Sequence, residues 1–565
     1  MFSANPSSEG FVFCEGLLKM FCRAKFLNYF SQRDRGWILS LLAAVCLIYL
    51  PFLGNPFVFD DLPFFVGGAV NYYAHAPFNF NLRWLPYASL GWTAAVFSDV
   101  VPHFFHLGNA LLHVGNVILL FYLLRQLVGA VITEHEKSSA IIWGAWFGAL
   151  LFACHPVAVY AVGYVVQRSI LMATFFALLM QWAYIHGLLT GQKRWLVLAV
   201  IAYFLAGFSK EHSVMLPAVL AAITIALRAR ILLDRRALWL TWAAFIALAI
   251  LLVLRAKGVF GTPYEAMAVQ LFEQQGIAES TPMLHLLSVL TQAGLFFKYL
   301  LLWVLPNPAW MSVDMREPFI ANWTAWQGWA GALGFIVYGV LAFRLLLRPR
   351  WLGLAGLALL YPWLLFLVEF SSIRVQEPFV LYRSYLWMPG IMLLFPILLA
   401  SLPGRRTLLV LGCVVLLLAP LSWNRLWVFA DNYRLWNDAA LLLPDERTAG
   451  ADRIFYNRAQ AAGNMQKWGE AAADYQKVVA LSPQLSPVRH ALGMAYVNLE
   501  RFPEAVVQFD AGMALDPSDA RLYFGKGLAL MRLRQGAQAA QLMKKACELG
   551  EQTACMMSGL MNGKK

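Results

Sequence analysis

Charged residues are scarce in this chain of 565 residues. Asp, Glu, Lys and Arg together make up 13% of it, whereas hydrophobic residues make up 60%. A soluble globular protein usually carries about a quarter charged residues. The scarcity excludes an ordinary soluble enzyme and predicts an integral membrane protein with room for many spans.

Two signatures of soluble catalysis are also missing from the sequence. It has no Gly-rich loop followed by Lys and Ser or Thr, which would hold nucleotide phosphates, and no metal-ligand spacing of Cys and His. The net charge of +13 comes from short basic clusters between apolar runs. Such clusters are typical of topology signals and lipid contacts rather than of nucleic-acid binding. Transfer from a donor carried by a lipid is therefore favoured over transfer from a nucleotide donor.

Long apolar runs predict the membrane spans, and the basic clusters between them predict the orientation. If the run at 284–305 lies along the outer surface, every basic cluster falls on the cytoplasmic side. The expected fold is therefore all-α, with about eleven spans and a cytoplasmic segment 1–36. The twelve apolar runs are 37–53, 106–127, 139–155, 169–189, 195–209, 212–228, 237–255, 284–305, 326–346, 352–369, 384–401 and 406–423.

Two adjacent acids, Asp60 and Asp61, follow the first apolar run. Each carboxylate disfavours ionisation of the other, and nearby hydrocarbon disfavours both charges. A costly pair of this kind at the membrane surface is typical of a functional site. We expect both acids and the C-terminal tail to lie on the extracytoplasmic side.

A polar stripe runs along the second predicted span. His106, Asn109, His113 and Asn116 share one face of a helix. Hydrogen bonds between helices would explain such a stripe. Four polar residues along one helix face nevertheless favour a helix that lines a polar cavity, or the seam beside such a cavity.

The predicted outer loops carry charges suited to sugar or phosphate. A guanidinium matches the geometry of phosphate, although Arg168 would equally reach lipid headgroups. Lys210 and Glu211 would either pair with each other or contact a substrate. The residues concerned are Arg168 at the start of the fourth span, Lys210 and Glu211 between the fifth and sixth, Asp314 and Arg316, and Arg374, Glu377, Tyr382 and Arg383 within 369–385.

The tail from about residue 431 is Ala-rich and internally repetitive. Trp468–Ala471 recurs as Phe502–Ala505, Pro483 recurs as Pro517, and Gly493 recurs as Gly527, all at one constant spacing. That spacing is the length of a tetratricopeptide repeat (TPR), about 34 residues. The sequence therefore predicts TPRs, which stack pairs of helices into a curved surface that binds a polypeptide.

Two Cys residues, Cys547 and Cys555, flank Gly550 near the end of the tail, where one helix should turn into the next. A disulfide across this helix pair and two unrelated thiols are both compatible with the sequence.

Four motifs in this order resemble the membrane glycosyltransferases of the GT-C class. Together with the repeats, they make the chain similar to the transmembrane-and-tetratricopeptide O-mannosyltransferases and their bacterial relatives over nearly its whole length. The motifs are Phe59–Asp61, the block His155–Arg168, Ser209–Glu211 followed by Leu216 and Pro217, and Glu377 with Tyr382 and Arg383.

The resemblance implies inverting transfer of a sugar from a polyprenyl-phosphate donor to Ser or Thr hydroxyls of protein, with no metal and no cofactor. Asp60 would be the general base, and Asp61 would position the acceptor or tune its neighbour. Arg168, Lys210 and Arg383 would stabilise the donor phosphate as it leaves. The further residues assigned to substrate binding are Arg83, His155, Gln167, Glu211, Glu377 and Tyr382.

The expected organisation is a cytoplasmic segment 1–36, a GT-C-like membrane domain 37–425 and an extracytoplasmic repeat domain 431–565. We expect a bacterial inner membrane, with Asp60 and the repeats in the periplasm and an acceptor protein held by the repeats. Two alternatives stay open. One is transfer of a lipid-linked sugar or oligosaccharide to a glycan, a lipid or a pilin-like protein. The other is a non-catalytic scaffold whose repeats dock an envelope complex.

Overall fold

The structure is a computed structural model, and it describes residues 34–76, 78, 80–97, 100–132, 138–256, 261–262, 281–375, 377–401 and 405–562. Nearly all of the predicted cytoplasmic segment 1–36 lies outside these ranges. Regular structure within them is helical, apart from one antiparallel bridge between Met315 and Phe379. The all-α prediction is confirmed for the described chain.

The apolar part consists of helices because a helix satisfies its own backbone hydrogen bonds, as hydrocarbon requires. Short 3₁₀ turns join several of them. The helices are α1 Arg35–Tyr49, α2 Asp61–Phe65, α3 Ala69–His75, α4 Trp84–Phe97, α5 Pro102–Val131, α6 Ser138–Cys154, α7 Val159–Val162, α8 Arg168–Thr190, α9 Lys193–Ser209, α10 Leu216–Ala226, α11 Arg235–Arg255, α12 Thr281–Val304, α13 Trp326–Leu346, α14 Arg350–Phe366, α15 Leu394–Ser401 and α16 Arg405–Val428.

Seven helices in the described ranges are long and apolar enough to cross a membrane, and nine spans result if each of two bent pairs counts as one. The chain is therefore a multi-pass membrane protein. The run predicted at 284–305 is among the seven, and its interfacial position stays a prediction. The eleven predicted spans also include three shorter apolar segments, at 195–209, 212–228 and 384–401.

Helix α8 lies at the centre of the apolar part. In the most apolar 18-residue stretch of its span, 83% is buried, compared with 22% of the corresponding stretch in each of α1, α11 and α13. It packs against α5 and α9, and the turn before it bonds the acid pair through the N–H of Val166. The peripheral helices leave their apolar side chains exposed, as expected of surfaces that face lipid.

The polar stripe on α5 ties helices together. Asn109 donates to the carbonyls of Val162 and Val165 at 3.3 and 3.2 Å, and His113 Nδ1 lies 2.6 Å from the hydroxyl of Tyr385. Asn109 and His113 are fully buried, as is Asn116, which donates to the Tyr385 hydroxyl at 3.1 Å. Interhelical hydrogen bonds therefore replace the cavity lining that we expected.

His106 is a partial exception within this stripe. Its Nε2 lies 3.0 Å from the carbonyl oxygen of Asn55, and its side chain borders a cavity of about 10 Å³. That volume matches a single water molecule rather than a substrate.

The tail forms the predicted repeats, and the described chain ends in a TPR-like stack. Its second helices begin at Trp468, Phe502 and Gly536, which are evenly spaced by one repeat length. The helices are α17 Asn432–Leu441, α18 Ala451–Asn464, α19 Trp468–Leu481, α20 Ser486–Asn498, α21 Phe502–Leu515, α22 Ala520–Arg532, α23 Gly536–Glu548 and α24 Gln552–Asn562.

The turn inside each repeat uses left-handed backbone. Gln466, Glu500 and Arg534 have φ values of 60°, 59° and 60°, and they occupy the same position in successive repeats. Residues with a side chain adopt this conformation at a cost that Gly avoids.

Replacing Glu500 with Gly is therefore expected to raise the free energy of unfolding of the tail by about 0.5–1 kcal/mol. Thermal unfolding of the full chain measures the change in stability. Hydrogen exchange of the amides in α20 and α21 then shows whether the change lies in this repeat. The control is Lys544→Gly at an exposed position inside α23, which should lower stability by about 1 kcal/mol. Destabilisation by both changes would contradict this account of the turn.

Cys547 and Cys555 form a disulfide, with their Cα atoms 4.6 Å apart. The bond joins α23 to α24 across the turn at Gly550. Of the two interpretations that the sequence left open, the structure contains the disulfide.

Candidate active site

The acid pair lies where the chain enters α2, with Asp60 directly before the helix and Asp61 as its first residue. Phe59, the residue before the pair, has a φ of 50°, an uncommon conformation for an aromatic residue. The N–H of Asp60 donates to the hydroxyl of Tyr164 at 2.9 Å, and the N–H of Asp61 donates to the carbonyl of Val58 at 2.9 Å. These bonds fix the backbone on which both carboxylates are carried.

The carboxylate of Asp61 is fully buried. It accepts the N–H of Val166 at 2.7 Å and the N–H of Val58 at 3.2 Å. Burial raises the pKa of Asp61 to about 7, against the effect of the hydrogen bonds from Val166 and Val58. Asp61 therefore joins the segments around Val58 and Val166, and its predicted roles in positioning the acceptor or tuning its neighbour stay predictions.

Asp60 is exposed, in contrast to its neighbour. Desolvation by the surrounding protein raises the pKa of its carboxyl group, a hydrogen bond from Tyr164 lowers it, and Glu377 raises it again. The charges of Arg453 and Lys210 also lower this pKa. Because a raised pKa makes a carboxylate a stronger base, Asp60 is suited to take a proton from a bound hydroxyl.

Lys210 lies near Asp60 and is only 3% exposed. Its Nζ lies 3.4 Å from the hydroxyl of Ser169 and 5.2 Å from the ring centroid of Tyr382, whose ring in turn lies 6.3 Å from that of Tyr164. The structure therefore brings an acid, a cation and two aromatic rings together, and we call the part of the molecule between these four side chains the Asp60 recess.

The charges of three arginines act on Lys210. Burial lowers the pKa of Lys210 to about 7, and the nearby charges of Arg83, Arg383 and Arg374 lower it further, whereas Glu211 raises it. An anion that entered this group of cations would restore the ammonium form.

Arg83 and Glu211 form a half-exposed ion pair beside Lys210. Arg83 Nε donates to Glu211 Oε2 at 2.9 Å, and a second contact joins Nη2 to Oε1. The structure thus brings together two predicted substrate residues that are far apart in the chain. Both side chains of the pair are partly exposed.

A second, fully buried cluster lies around Glu369. This carboxylate contacts Arg374 Nε at 2.9 Å and Arg383 Nη1 at 3.1 Å, and it lies 3.0 Å from His212 Nε2. Arg383 was predicted to bind donor phosphate. The guanidinium of Arg383 bonds Glu369, so its effect on Lys210 is electrostatic: its charge lowers the pKa of Lys210.

Arg168 has surroundings different from those we expected. It donates to the Asn109 amide oxygen at 2.9 Å, to Thr93 Oγ1 at 3.1 Å and to the carbonyls of Ser89 and Phe105 at 3.2 and 2.9 Å. These neutral acceptors lie on α4 and α5, so Arg168 holds both helices against α8. The Arg168 N–H groups that make these hydrogen bonds are already engaged and do not bind a lipid phosphate in this arrangement.

His155 and Gln167 also have structural surroundings. His155 is buried, accepts the N–H of Val157 at 3.3 Å at the start of a 3₁₀ turn, and stacks on Trp303 with ring centroids 4.3 Å apart. Gln167 is buried in the turn that precedes α8. The role in substrate binding that the resemblance implies for these two residues stays a prediction.

Comparison with known proteins finds similarity to two TPR-related proteins over a fifth of the chain or less. No family model matches the chain. The Hsp70-Hsp90 organizing protein of Triticum aestivum is 32% identical over 91 residues, which are 16% of this chain and 15% of that protein. The Arabidopsis OM64 TPR domain is 20% identical with a TM-score of 0.20, and the match covers 20% of this chain and 97% of that domain. The tail is TPR-like. The chain spans only about 15% of the curated relative's length.

The sequence did not indicate two residues near Asp60, namely Tyr164 within the Asp60 recess and Arg453 next to it. Tyr164 lies inside the block His155–Arg168, and its position next to Asp60 was not foreseen. Arg453 is on α18 in the tail, and its Nη1 donates to Glu377 at 3.0 Å. A lone Arg in a repeat helix carries no sequence signal that would assign it to a site near the other end of the chain.

Proposed function

We propose that this protein is a membrane glycosyltransferase that moves a sugar from a polyprenyl-phosphate donor to Ser or Thr hydroxyls of protein. The observation that carries the proposal is the exposed carboxylate of Asp60, held beside the buried cation of Lys210. A base and a cation next to one recess are what an inverting displacement of a phosphate requires.

In the proposed reaction, the acceptor oxygen attacks the anomeric carbon while Asp60 takes its proton. The bond from that carbon to the phosphate oxygen breaks, and the lipid phosphate leaves with the bonding electrons. Lys210 and Arg83 stabilise the negative charge that develops on it. Glu369 holds Arg383 and Arg374 behind Lys210, which keeps this side of the recess positive.

The proposed setting is a bacterial inner membrane with about eleven spans, and with the Asp60 recess and the repeats in the periplasm. Several long apolar helices support a lipid-borne donor, which reaches the recess through the bilayer. The TPR-like tail supports a polypeptide acceptor, since such stacks bind extended peptides and partner proteins.

Intact-mass comparison of envelope proteins tests this function. Cells carrying Asp60→Asn should lose a sugar-sized increment from one or a few proteins that cells carrying the natural chain retain. Loss of a sugar from a lipid or surface glycan instead would favour the alternative acceptors. Unchanged proteins, lipids and glycans would overturn the proposal and favour a scaffold.

Donor binding is expected to depend on the protonation of Lys210. The pKa of its amine is about 7 without a ligand, and a bound phosphate would raise it because the phosphate stabilises the charged form. Affinity should therefore be full below pH 7 and fall as the pH rises through 7, by about tenfold between pH 6 and pH 8.

Equilibrium binding of a short-chain polyprenyl-phosphate sugar to the full chain in detergent measures this dependence. Lys210→Arg is the matched variant, because its guanidinium stays charged at both pH values. The variant should lose most of the pH dependence. Equal dependence in both proteins would assign the effect to another group.

A further inference from the structure

The tail places the charged side chain of Arg453 next to the Asp60 recess. Arg453, on α18, donates from Nε to Asp314 Oδ2 at 2.9 Å and from Nη1 to Glu377 Oε1 at 3.0 Å. Its guanidinium also lies 5.3 Å from the ring centroid of Phe59, the residue before Asp60. One side chain of the first repeat helix thus contacts three separate loops of the membrane part.

Apolar contacts reinforce this junction. Trp436 on α17 packs edge-on against Phe59 at 5.1 Å. It belongs to a buried cluster with Ala439 and Ile454, against which Phe59 and Val313 also pack. Two helices of the tail therefore cover the ring whose backbone carries the acid.

The start of α18 is fitted closely to the membrane part. Gly450 has a φ of 78°, and a Cβ at this position would overlap Arg316 Nη1. Arg316 in turn donates to Asp314 at 2.8 Å, so Asp314 lies between Arg316 and Arg453. Burial would raise the pKa of Asp314, and these two guanidinium groups hold it below its usual value instead.

We propose that Arg453 is a positioning residue for Asp60, and that the first repeat helix is thereby part of the active site. The inference rests on the proposed function. Arg453 fixes Glu377 and the Phe59 ring, and both flank Asp60. The tail is consequently held at one orientation to the recess, so that an acceptor bound by the repeats presents its hydroxyl at a set distance from the base.

Arg453→Met tests this role in the full chain in detergent or nanodiscs. The matched control is Arg458→Met on the same helix, because Arg458 bonds Asp474 within the tail at 2.6 and 2.8 Å. Two properties are measured: amide exchange of residues 57–62 by mass spectrometry, and the rate of sugar transfer against pH.

Arg453→Met is expected to speed exchange of this segment about tenfold, and to lower kcat about 10- to 100-fold with little change in KM. It should also move the acid limb of the pH profile upward, because the Arg453 charge lowers the pKa of Asp60. Arg458→Met should change neither property. Arg453→Lys keeps the charge without the paired hydrogen bonds, so it should restore the pH profile and leave kcat low.

Unchanged exchange, or faster exchange with normal kcat and pH profile, would overturn the positioning role. The exchange measurement does not depend on catalysis. If Asp60→Asn transferred sugar normally, the proposed function would fail while exchange still reported on the contact between α18 and the Phe59 loop. If Arg453→Met does not fold, the Lys variant supplies both readouts.

Discussion

Asp60→Asn is expected to lower the rate of the proposed sugar transfer by about 10²- to 10⁴-fold, the contribution usual for a general base. The amide has nearly the same size as the carboxylate, and the backbone N–H of residue 60 would still donate to Tyr164. It has no basic oxygen that can take a proton from the acceptor. The loss should therefore fall on kcat, while donor affinity and the stability of the fold change little.

Transfer of labelled sugar from a synthetic polyprenyl-phosphate donor measures this loss. Asp510→Asn is the control, because Asp510 is an exposed carboxylate on α21 that pairs with Lys526 far from the recess. Asp60→Glu keeps a base but moves it by one methylene, so it should retain a small part of the activity. A rate for Asp60→Asn within about twofold of normal would remove Asp60 from the mechanism.

Glu369→Gln is expected to lower the free energy of unfolding by about 3–5 kcal/mol, the usual cost of breaking a buried ion pair from one side. Arg374, Arg383 and His212 would keep their buried positions and lose the carboxylate that they share. The neutral amide offers one acceptor oxygen, and its NH₂ group would face donors. The cost is therefore that of uncompensated charge as well as of lost hydrogen bonds.

Denaturation of the purified full chain in mild detergent measures this cost. Glu446→Gln is the control, since Glu446 pairs with Lys477 at an exposed position and should change stability by less than about 1 kcal/mol. A small effect of Glu369→Gln, equal to that of the control, would show that the arginines find other anionic partners.

The repeats were predictable from the sequence because they depend on local spacing. Trp468 and Phe502 begin second helices, and Gly493 and Gly527 face large side chains, as their recurrence indicates. A helical pair of fixed length sets these positions, so the same residue types return once in every repeat. The left-handed turns at Gln466, Glu500 and Arg534 follow the same period but were not foreseen, since none of these residues is Gly.

The site was predictable only in its outline. The sequence identifies Asp60 and Asp61 as unusual, but it cannot say which of two adjacent acids is buried. It likewise shows polar residues at Arg168, Asn109 and His113 without their partners. The structure pairs these residues with one another or with neighbouring helices, which is a common use of polar groups in membranes.

Position 59 is one at which stability and catalysis ask for the same residue. Phe59 holds a backbone conformation that costs a side-chain-bearing residue about 1–2 kcal/mol, and Gly would relieve that strain. Gly would also remove the ring that Trp436 and Arg453 contact, and the loss of a packed aromatic side chain costs more than the strain. A laboratory selection for heat resistance and a selection for the proposed glycosylation would therefore both retain the aromatic residue.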